Sequence, residues 1–530
     1  MPGLEFDYIV IGAGSAGCVI ADKLSESGSK SVLVLDAGRR GHPFERMPAG
    51  VIKLLGNPRA DWCYASEPEE NLKGRRVPVA RGKLAGGSSA INGMIFARGQ
   101  REDYDSWKKE GNSGWGYEDV LPLFKDLEAY SEGDGAYRGR TGPLAVTKVE
   151  GKGRFYDSFF SAGEEIGINH NPDYNGASQE GMALTQANIK NGRRVSAARA
   201  FLRPAMRRKN LTFQSGAVVN RLLFDGHRCI GVEYALSGTV RRARARTEVI
   251  SSAGSINSPK LLELSGIGDQ SILRKLEIKC LVDLPGVGEN LIDHIGPRLT
   301  VRSSSPDVSF NTRSSGLWLA KNFLEYALLG KGPLAMPVAP LRAYIKTDTS
   351  PDRPNIGLGF CPYSVAEDGQ LDQFPAMLAT IHVLRPESRG SVHIVSADPG
   401  AAPRIRFNFF SAETDRTDLL EGFRVLQQLL ASRAMSAIAS SVPFLPIEEY
   451  SSERIMEWIR ETSLTNYHPV GTCKMGSSDD AVVDEQLRVR GVSGLRIADA
   501  SIMPTITSGN TNAPSMMIGA KAAQLIIQSQ

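Results

Sequence analysis

Residues 6–17 have the sequence FDYIVIGAGSAG, in which a short apolar run ends at the first of three glycines. An apolar run of this length predicts a buried strand, and the pattern over residues 16–27 predicts a helix directly after it. A second apolar run, Ser31–Asp36 (SVLVLD), predicts another buried strand. Strand, helix and strand in this order indicate the start of a parallel α/β sheet.

The glycines at positions 12, 14 and 17 have the GxGxxG spacing that is typical of dinucleotide-binding loops. Gly12 permits the tight turn, Gly14 lets the backbone approach a pyrophosphate, and Gly17 lets the helix pack closely on the strand. Asp36 ends the second strand about 20 residues later, where a carboxylate accepts hydrogen bonds from an adenosine ribose. This pattern predicts a dinucleotide enzyme but does not separate FAD from NAD.

Length and composition exclude several classes of protein. The chain has 530 residues, too many for one ordinary core, so we expect two domains. The 62 basic and 58 acidic residues give a net charge of +4, which does not indicate a nucleic-acid partner. The six cysteines are scattered without a CxxC pair, so we expect no metal site, no disulfide framework and a reducing compartment.

The N-terminal segment and the apolar runs indicate where in the cell the chain is expected to be located. The N-terminal residues have no basic segment followed by a long apolar one, so we expect no signal peptide. No uninterrupted apolar run approaches the roughly 20 residues that a membrane span needs, so we expect no integral membrane segment. A cytoplasmic location is predicted, with peripheral association to a membrane left open.

The remaining pattern predicts further elements and a change of texture after residue 300, where a mixed sheet is expected. The predicted elements are a loop-rich segment 38–90, helices 102–110 and 117–130, strands within 211–252, a helix 257–265, strands 377–383 and 390–395, and a final helix opening near Pro514.

The segment Thr465–Cys473 (TNYHPVGTC) contains His468, one of only seven histidines. By itself, a histidine before a proline is more often a turn or core residue than a catalyst. The interpretation of His468 depends on four stretches of sequence, three elsewhere in the chain and one that begins at His468 itself. These are Gly82–Asn92 (GKLAGGSSAIN), Gly254–Gly268 (GSINSPKLLELSGIG), Leu284–His294 (LPGVGENLIDH), and the segment from His468 (HPVGTCKMG) to Pro514.

Together, in order and over nearly the whole chain, these stretches resemble the glucose–methanol–choline (GMC) oxidoreductases. The resemblance implies FAD as the cofactor, in a Rossmann-like α/β domain, beside a substrate domain with an antiparallel sheet and helices. Family members that bond FAD covalently place a histidine where this chain has Ile91, so we expect non-covalent FAD. The expected divisions are 1–155, 206–300 and 461–530 for the FAD-binding domain, and 156–205 and 301–460 for the substrate domain.

The resemblance also implies which residues contact FAD. Asn92 to Ile95 should lie at the reactive flavin edge, and Val219 should lie near the adenine through its backbone. The full expected set is Gly12, Gly14, Ser15, Ala16, Gly17, Asp36, Ala37, Gly87, Ser88, Asn92, Gly93, Met94, Ile95, Val219, Asp499, Ala500 and Ala513.

The implied reaction is the oxidation of an alcohol to an aldehyde or ketone, with flavin N5 accepting the hydride. His468 matches the family's base, and imidazole suits that role because its ordinary pKa is about 6.5. Asn512 matches the residue expected to face it and to orient the substrate oxygen, although a turn or cap role is also compatible. We expect His294 to be structural near the FAD. The other histidines are interpreted as surface or core residues: His42, His170, His227, His382 and His393.

Substrate and electron acceptor stay open at this stage. Residues 171–181 and 192–205 are similar to the L-sorbose-dehydrogenase-like members of a bacterial alcohol and choline dehydrogenase branch, which favours a sugar, polyol or other small primary alcohol. The acceptor is a quinone or other carrier, or O₂ in an alcohol oxidase. A cyanohydrin lyase that retains FAD and a non-catalytic flavin-binding module are the remaining alternatives, while a base at His468 argues against a photodecarboxylase. The oligomeric state is undetermined.

Overall fold

The computed structural model describes residues 4–366 and 369–529. Two large sheets organise this part of the chain, and each has its own hydrophobic core. The first core surrounds strands from the N-terminal, middle and C-terminal segments. The second surrounds strands and helices from the segments between them.

The first sheet begins with the predicted strand–helix–strand unit. Leu4–Ile11 and Val32–Asp36 pair in parallel, and helix Ser15–Ser25 connects them. Every residue of Val32–Asp36 is buried, as expected for a parallel strand covered on both faces. The strand order is Leu211–Ser215, Val32–Asp36, Leu4–Ile11, Thr239–Ser251, Arg228–Leu236 and Ala217–Asp225, with Leu495–Ile497 also paired to Thr239–Ser251.

The C-terminal helix packs directly on the first helix. It spans Asn512–Gln528 and carries Pro514 in its first turn, where a missing N–H costs nothing. A side chain at Gly519 would lie 2.5 Å from the Ala16 carbonyl oxygen, so only glycine permits this approach. The helix crossing therefore brings the end of the chain to the N-terminal dinucleotide loop.

The second sheet is antiparallel throughout, not mixed. Its strand order is Ala439–Ser441, Arg298–Ser303, Ala376–Val383, Ile356–Cys361, Leu341–Ile345 and Gly181–Leu184. Helix Glu413–Ala431 contacts Ala376–Val383 and Ile356–Cys361. The predicted fold class, a Rossmann-like domain beside an antiparallel substrate domain, is confirmed, while the domain boundaries stay a prediction.

Several helices were not predicted from the sequence, and the others lie close to their predicted bounds. The α-helices not yet given are Val51–Leu54, Arg101–Lys109, Tyr117–Leu127, Arg154–Glu165, Arg203–Ala205, Gly254–Leu264, Gln270–Lys275, Gly316–Leu329, Arg433–Ser436 and Ser452–Thr462.

Short strand pairs complete the described structure. The predicted strand 390–395 is Ser391–His393, which pairs outside both large sheets. The short strand pairs are Tyr64–Ala65 with Pro78–Val79, Glu128–Ala129 with Leu144–Ala145, Thr147–Lys148 with Gln186–Ala187, Ile189–Lys190 with Arg193–Arg194, Ile267–Gly268 with Val282–Asp283, Ile295–Gly296 with Leu464–Thr465, and Ser391–His393 with Arg404–Arg406.

Within the described residues, no helix combines the length and the apolar composition needed to cross a bilayer. The same residues contain no cluster of three or more His, Cys, Asp or Glu side chains suited to hold a metal ion.

Candidate active site

A cavity of about 670 Å³ is lined by residues of both sheets. Ile11 and Leu35 line it from parallel strands of the first sheet, and Arg342 and Thr380 line it from the antiparallel second sheet. His468 also belongs to its wall. A volume of this size suits a large organic cofactor or ligand.

The dinucleotide loop forms one part of this wall, and its three glycines have different structural reasons. Gly12 has a φ of +94°, and a side chain there would lie 2.4 Å from the Ser252 carbonyl oxygen. A side chain at Gly17 would lie 1.9 Å from the Gly12 carbonyl oxygen. At Gly14 the nearest atom would be 3.9 Å away, so this glycine keeps the cavity itself open.

The loop that begins at Gly86 lies against the dinucleotide loop. The Gly86 N–H donates to the Ala13 carbonyl oxygen at 2.7 Å. Gly87 has a φ of +52°, and a side chain there would lie 2.7 Å from the Gly14 Cα. Two stretches of backbone, far apart in sequence, therefore form one continuous side of the cavity.

Three helices begin at the cavity, and in none of them does the N-cap residue accept a hydrogen bond through its own side chain, although Asp499 accepts from the N–H of Gly254. They are Ser15–Ser25, Gly254–Leu264 and Asn512–Gln528. Free N–H groups at a helix N-terminus attract anions such as a pyrophosphate. The open glycine backbone and these helix N-termini fit the diphosphate of FAD.

Two aspartates stabilise the loops at the cavity. Asp36 accepts hydrogen bonds from the backbone N–H groups of Ala13 and Gly38, both at 2.7 Å. Burial raises the pKa of Asp36. Asp499 accepts from Gly254 N–H at 2.9 Å and from the Ser258 hydroxyl at 2.6 Å. Both aspartates hold backbone that faces the cofactor part of the cavity, and the ribose contact of Asp36 stays a prediction.

Nearly all the residues expected to contact FAD line the cavity. Gly17 and Ala513 are the exceptions, because they are buried in helix packing behind it. Residues 252–257 and 81–83 also line the cavity and were not predicted. Both segments belong to or adjoin stretches that carry the family resemblance, and that position in the sequence could have indicated their contact with the cavity. The expected residues that line the cavity are Gly12, Gly14, Ser15, Ala16, Asp36, Ala37, Gly87, Ser88, Asn92, Gly93, Met94, Ile95, Val219, Asp499 and Ala500.

His468 is half-buried in the wall and is held at three points. Its Nδ1 lies 3.0 Å from Nδ1 of His294, and its Nε2 lies 2.9 Å from Nδ2 of Asn510. Its backbone N–H donates to Asp293 at 2.8 Å. The ring therefore has a fixed orientation at the cavity.

The hydrogen-bond partners determine which nitrogen of His468 is basic. Nε2 of His294 lies 2.9 Å from the Leu384 carbonyl oxygen, which can only accept, so this nitrogen carries a proton. In neutral His294 the lone pair is then on Nδ1, and Nδ1 of His468 must donate to it. His468 consequently has its lone pair on Nε2, where the Asn510 amide donates.

Electrostatics keep His468 neutral. Burial, followed by the neighbouring His294, His382, Arg81 and Arg342, holds the pKa of His468 well below its usual value. Burial also lowers the pKa of His294, to about 4. An uncharged imidazole with its lone pair on Nε2 is the form that accepts a proton.

The expected partnership between Asn512 and His468 requires correction. The Asn512 side chain accepts from the Ser15 hydroxyl at 2.8 Å and donates to Asn188 at 3.4 Å. The residue that contacts the His468 ring is Asn510, which sequence reasoning missed. A stretch containing two asparagines two positions apart does not by itself say which one faces inward, because the chain bends before the helix begins.

His294 and His382 lie beside His468, and His382 is buried as a core residue would be. His382 also lines the cavity, and neither of its ring nitrogens has a hydrogen-bond partner among the described residues. Its ring centroid is 5.2 Å from that of His294, which is itself 5.2 Å from that of His468. Three histidines from separate segments thus form one cluster that sequence spacing did not indicate.

Comparison with known proteins agrees with this geometry. The family model described as GMC oxidoreductase matches residues 6–296, and its C-terminal counterpart matches residues 386–519. The chain belongs to the GMC oxidoreductase family. As a member it is an FAD-dependent oxidoreductase that acts on the CH–OH group of alcohols.

Curated relatives cover nearly the whole chain. The oxygen-dependent choline dehydrogenase of Vibrio vulnificus (strain YJ016) is 40% identical over 99% of this chain and 95% of its own length. The enzyme of the same name from Staphylococcus xylosus is 40% identical over 98% and 95%. Substrate specificity does not follow from this similarity.

Solved structures share the fold of this GMC oxidoreductase. Pyridoxine 4-oxidase from Mesorbium loti superposes with a TM-score of 0.89 at 29% identity, covering 98% of each chain. Formate oxidase from Aspergillus oryzae superposes with a TM-score of 0.93 at 24% identity, covering 100% of this chain and 99% of that one. The second likeness concerns the fold alone.

Proposed function

We propose that this enzyme oxidises a small alcohol to an aldehyde or ketone, with His468 as the base. The single observation that carries the proposal is the lone pair on Nε2 of a neutral His468 at the cavity wall. A positioned base of this kind typically contributes roughly 10²–10⁴-fold to the rate.

FAD, when bound, supplies the acceptor for the carbinol hydride as the C=O bond forms. His468 Nε2 accepts the hydroxyl proton, and its own Nδ1 proton stays hydrogen-bonded to His294. The Asn510 amide, 2.9 Å from Nε2, orients the ring and lies where it can also contact the substrate oxygen. Holding base and substrate oxygen in one geometry lowers the entropic part of the barrier.

The electron acceptor is the second half of the proposal. We propose a dehydrogenase that passes electrons to a quinone-type or other carrier, with an O₂-using oxidase as the alternative. Sugars, polyols and other small primary alcohols remain the neutral substrate candidates from the sequence comparison.

An anaerobic experiment tests the core of this function. The FAD-loaded protein is mixed with an alcohol panel, and bleaching of the oxidised flavin absorbance is followed. We expect bleaching by at least one alcohol and a matching carbonyl product. Bleaching by none, with cleavage of a cyanohydrin instead, would contradict the proposal and favour a lyase. Repeating turnover with a dye acceptor or with O₂ alone separates dehydrogenase from oxidase.

A further inference from the structure

The substrate part of the cavity contains a row of residues across the antiparallel sheet. Arg298 pairs in register with Thr380, Thr380 with Gly359, and Gly359 with Arg342. Residues in register across neighbouring strands point to the same face of a sheet, at about 4.8 Å per strand. Arg298, Thr380 and Arg342 all line the cavity.

Gly359 lies between Thr380 and Arg342 in this row and has no side chain of its own. A side chain there would lie 2.7 Å from the Thr380 hydroxyl oxygen. The Thr380 hydroxyl occupies the space beside Gly359, so the row has an arginine at each end and a hydroxyl between them. The part of the cavity that this row lines is therefore bordered by two positively charged side chains and one hydroxyl.

Neither arginine has a counter-ion among the described residues. Arg342 is only 4% exposed, and its one side-chain hydrogen bond goes from Nε to the Tyr344 hydroxyl at 3.1 Å. Arg298 is exposed to solvent and makes no side-chain hydrogen bond or ion pair within the same part of the chain, so Arg342 alone is the buried cation of the row. The buried Arg98 and Arg138 both pair with Glu128, the usual solution for a buried cation.

Few of the described residues that line this cavity are acidic. Among the described residues, the lining carboxylates are Asp36 and Asp499, and both hold backbone N–H groups in the cofactor part. A quaternary ammonium group such as that of choline would meet Arg298 and Arg342 with no described carboxylate between them. Like charges at a binding site disfavour the ligand.

We propose that the alcohol substrate carries a carboxylate, as a hydroxy acid or sugar acid does. Arg342 and Arg298 bind the carboxylate through charge-assisted hydrogen bonds, and His468 receives the hydroxyl proton. Guanidinium and carboxylate match in planar geometry, so the pair also fixes the orientation of the substrate. This inference rests on the proposed function and narrows its substrate class.

Matched substrates test the inference directly. The pairs are glycerate against glycerol, gluconate against glucitol, and choline against its neutral isostere 3,3-dimethylbutan-1-ol. Anaerobic flavin reduction gives kcat/KM for each. We expect the carboxylates to exceed their neutral partners at least about tenfold, since a hydrogen bond to a charged group is worth more than one factor of ten. Choline should be the poorest of the six.

Two variants test whether the preference for carboxylate substrates depends on the arginines of this row. Arg342→Met and Arg298→Met should each lower kcat/KM for the carboxylates about ten- to hundredfold, with a smaller loss for the neutral partners. The matched control is Arg302→Met on the same strand, because Arg302 lies over the Phe374 ring and does not line the cavity. FAD content should be unchanged in all three.

The outcomes are distinguishable. Preference for choline or for neutral alcohols would overturn the carboxylate inference and leave the proposed function intact. Loss of FAD in Arg342→Met would also overturn it, because the arginine would then serve the cofactor. If no alcohol bleaches the flavin, the proposed function fails, and titration with propanoate and tetramethylammonium decides this inference. Flavin spectral changes with propanoate that disappear in Arg342→Met support it, and no response to propanoate overturns it.

Discussion

The cofactor part and the substrate part of the cavity recognise their ligands by different means. The cofactor part presents backbone: Gly14 leaves space, Gly87 permits close approach, and helix N-termini supply N–H groups. The substrate part presents side chains, with Arg342 and Thr380 on neighbouring parts of an antiparallel sheet. Backbone recognition constrains residue size at fixed spacing, whereas side-chain recognition can change with any single substitution.

This difference explains why the family resemblance predicts FAD but not the alcohol. A glycine-bounded loop accepts one kind of diphosphate wherever the fold occurs. The side chains on a sheet face, by contrast, can differ between proteins of one fold and so change the ligand that is bound. Variants in the two parts of the cavity should therefore affect FAD binding and alcohol oxidation separately.

The largest expected effect belongs to the base between them. His468→Gln should lower alcohol-driven flavin reduction by about 10²–10⁴-fold, because glutamine cannot accept the proton. FAD content and the oxidised flavin spectrum should stay normal, since His468 is not part of the glycine-bounded backbone. Stopped-flow reduction under nitrogen measures the loss. Near-normal reduction would remove His468 from the mechanism.

The next effect separates cofactor binding from folding. Gly14→Val should fold, because a side chain there meets nothing closer than 3.9 Å, but the valine would occupy the cavity. We expect FAD affinity to fall about ten- to hundredfold. Gly17→Val is the matched comparison: its side chain would overlap the Gly12 carbonyl oxygen, so yield and Tm should fall instead. Equal Tm values with equal FAD content would contradict both assignments.

We expect Asn510 to serve the substrate part of the cavity and Asn512 to serve the cofactor part. Asn510→Ala removes the donor to His468 Nε2 and should lower kcat about two- to twelvefold with full FAD content. Asn512→Ala removes the partner of Ser15 at the dinucleotide loop and should mainly weaken FAD binding. Paired measurements of kcat and FAD dissociation decide. The reverse pattern would restore Asn512 as the partner of the base.

A smaller effect is expected at His294, which acts through His468 as a positioning residue. His294→Ala removes the acceptor that fixes the proton on Nδ1 of His468. We expect kcat to fall about two- to twelvefold, KM to stay constant, and the pH profile to change. His227→Ala is the control, because His227 is exposed and contacts Gly491 away from the cavity. An unchanged pH profile would reduce His294 to a structural role.

The smallest effect is a shift in pH dependence. The pKa of His468 is held below its usual value, so its basic form persists into mildly acidic solution and is lost only as the pH falls through that lowered pKa. The acidic limb of kcat/KM for a neutral alcohol should therefore lie below about pH 6.5. Arg342→Met removes one positive charge beside the ring and should move that limb upward. A limb that does not move would show that Arg342 and His468 are electrostatically independent.

Much of the molecule could be predicted from local patterns. The segment 6–36 indicated the strand–helix–strand unit, since burial of Val32–Asp36 and the glycine spacing are both local properties. The parallel pairing of these two strands, the final helix and the dinucleotide-binding loop were also predicted from local patterns. The helix Glu413–Ala431 was not recognised, and the local pattern alone indicated a mixed second sheet, whereas the family resemblance implied the antiparallel sheet that is observed.

The sequence by itself therefore determined the family, the cofactor and the identity of the candidate base. Only the tertiary structure decided that Asn510 and His294 contact His468, and that Arg298, Thr380 and Arg342 share one row. The physical reason is that a glycine loop encodes its function within a few consecutive residues. A histidine cluster or a charged sheet face exists only after strand register and chain crossing have brought distant segments together.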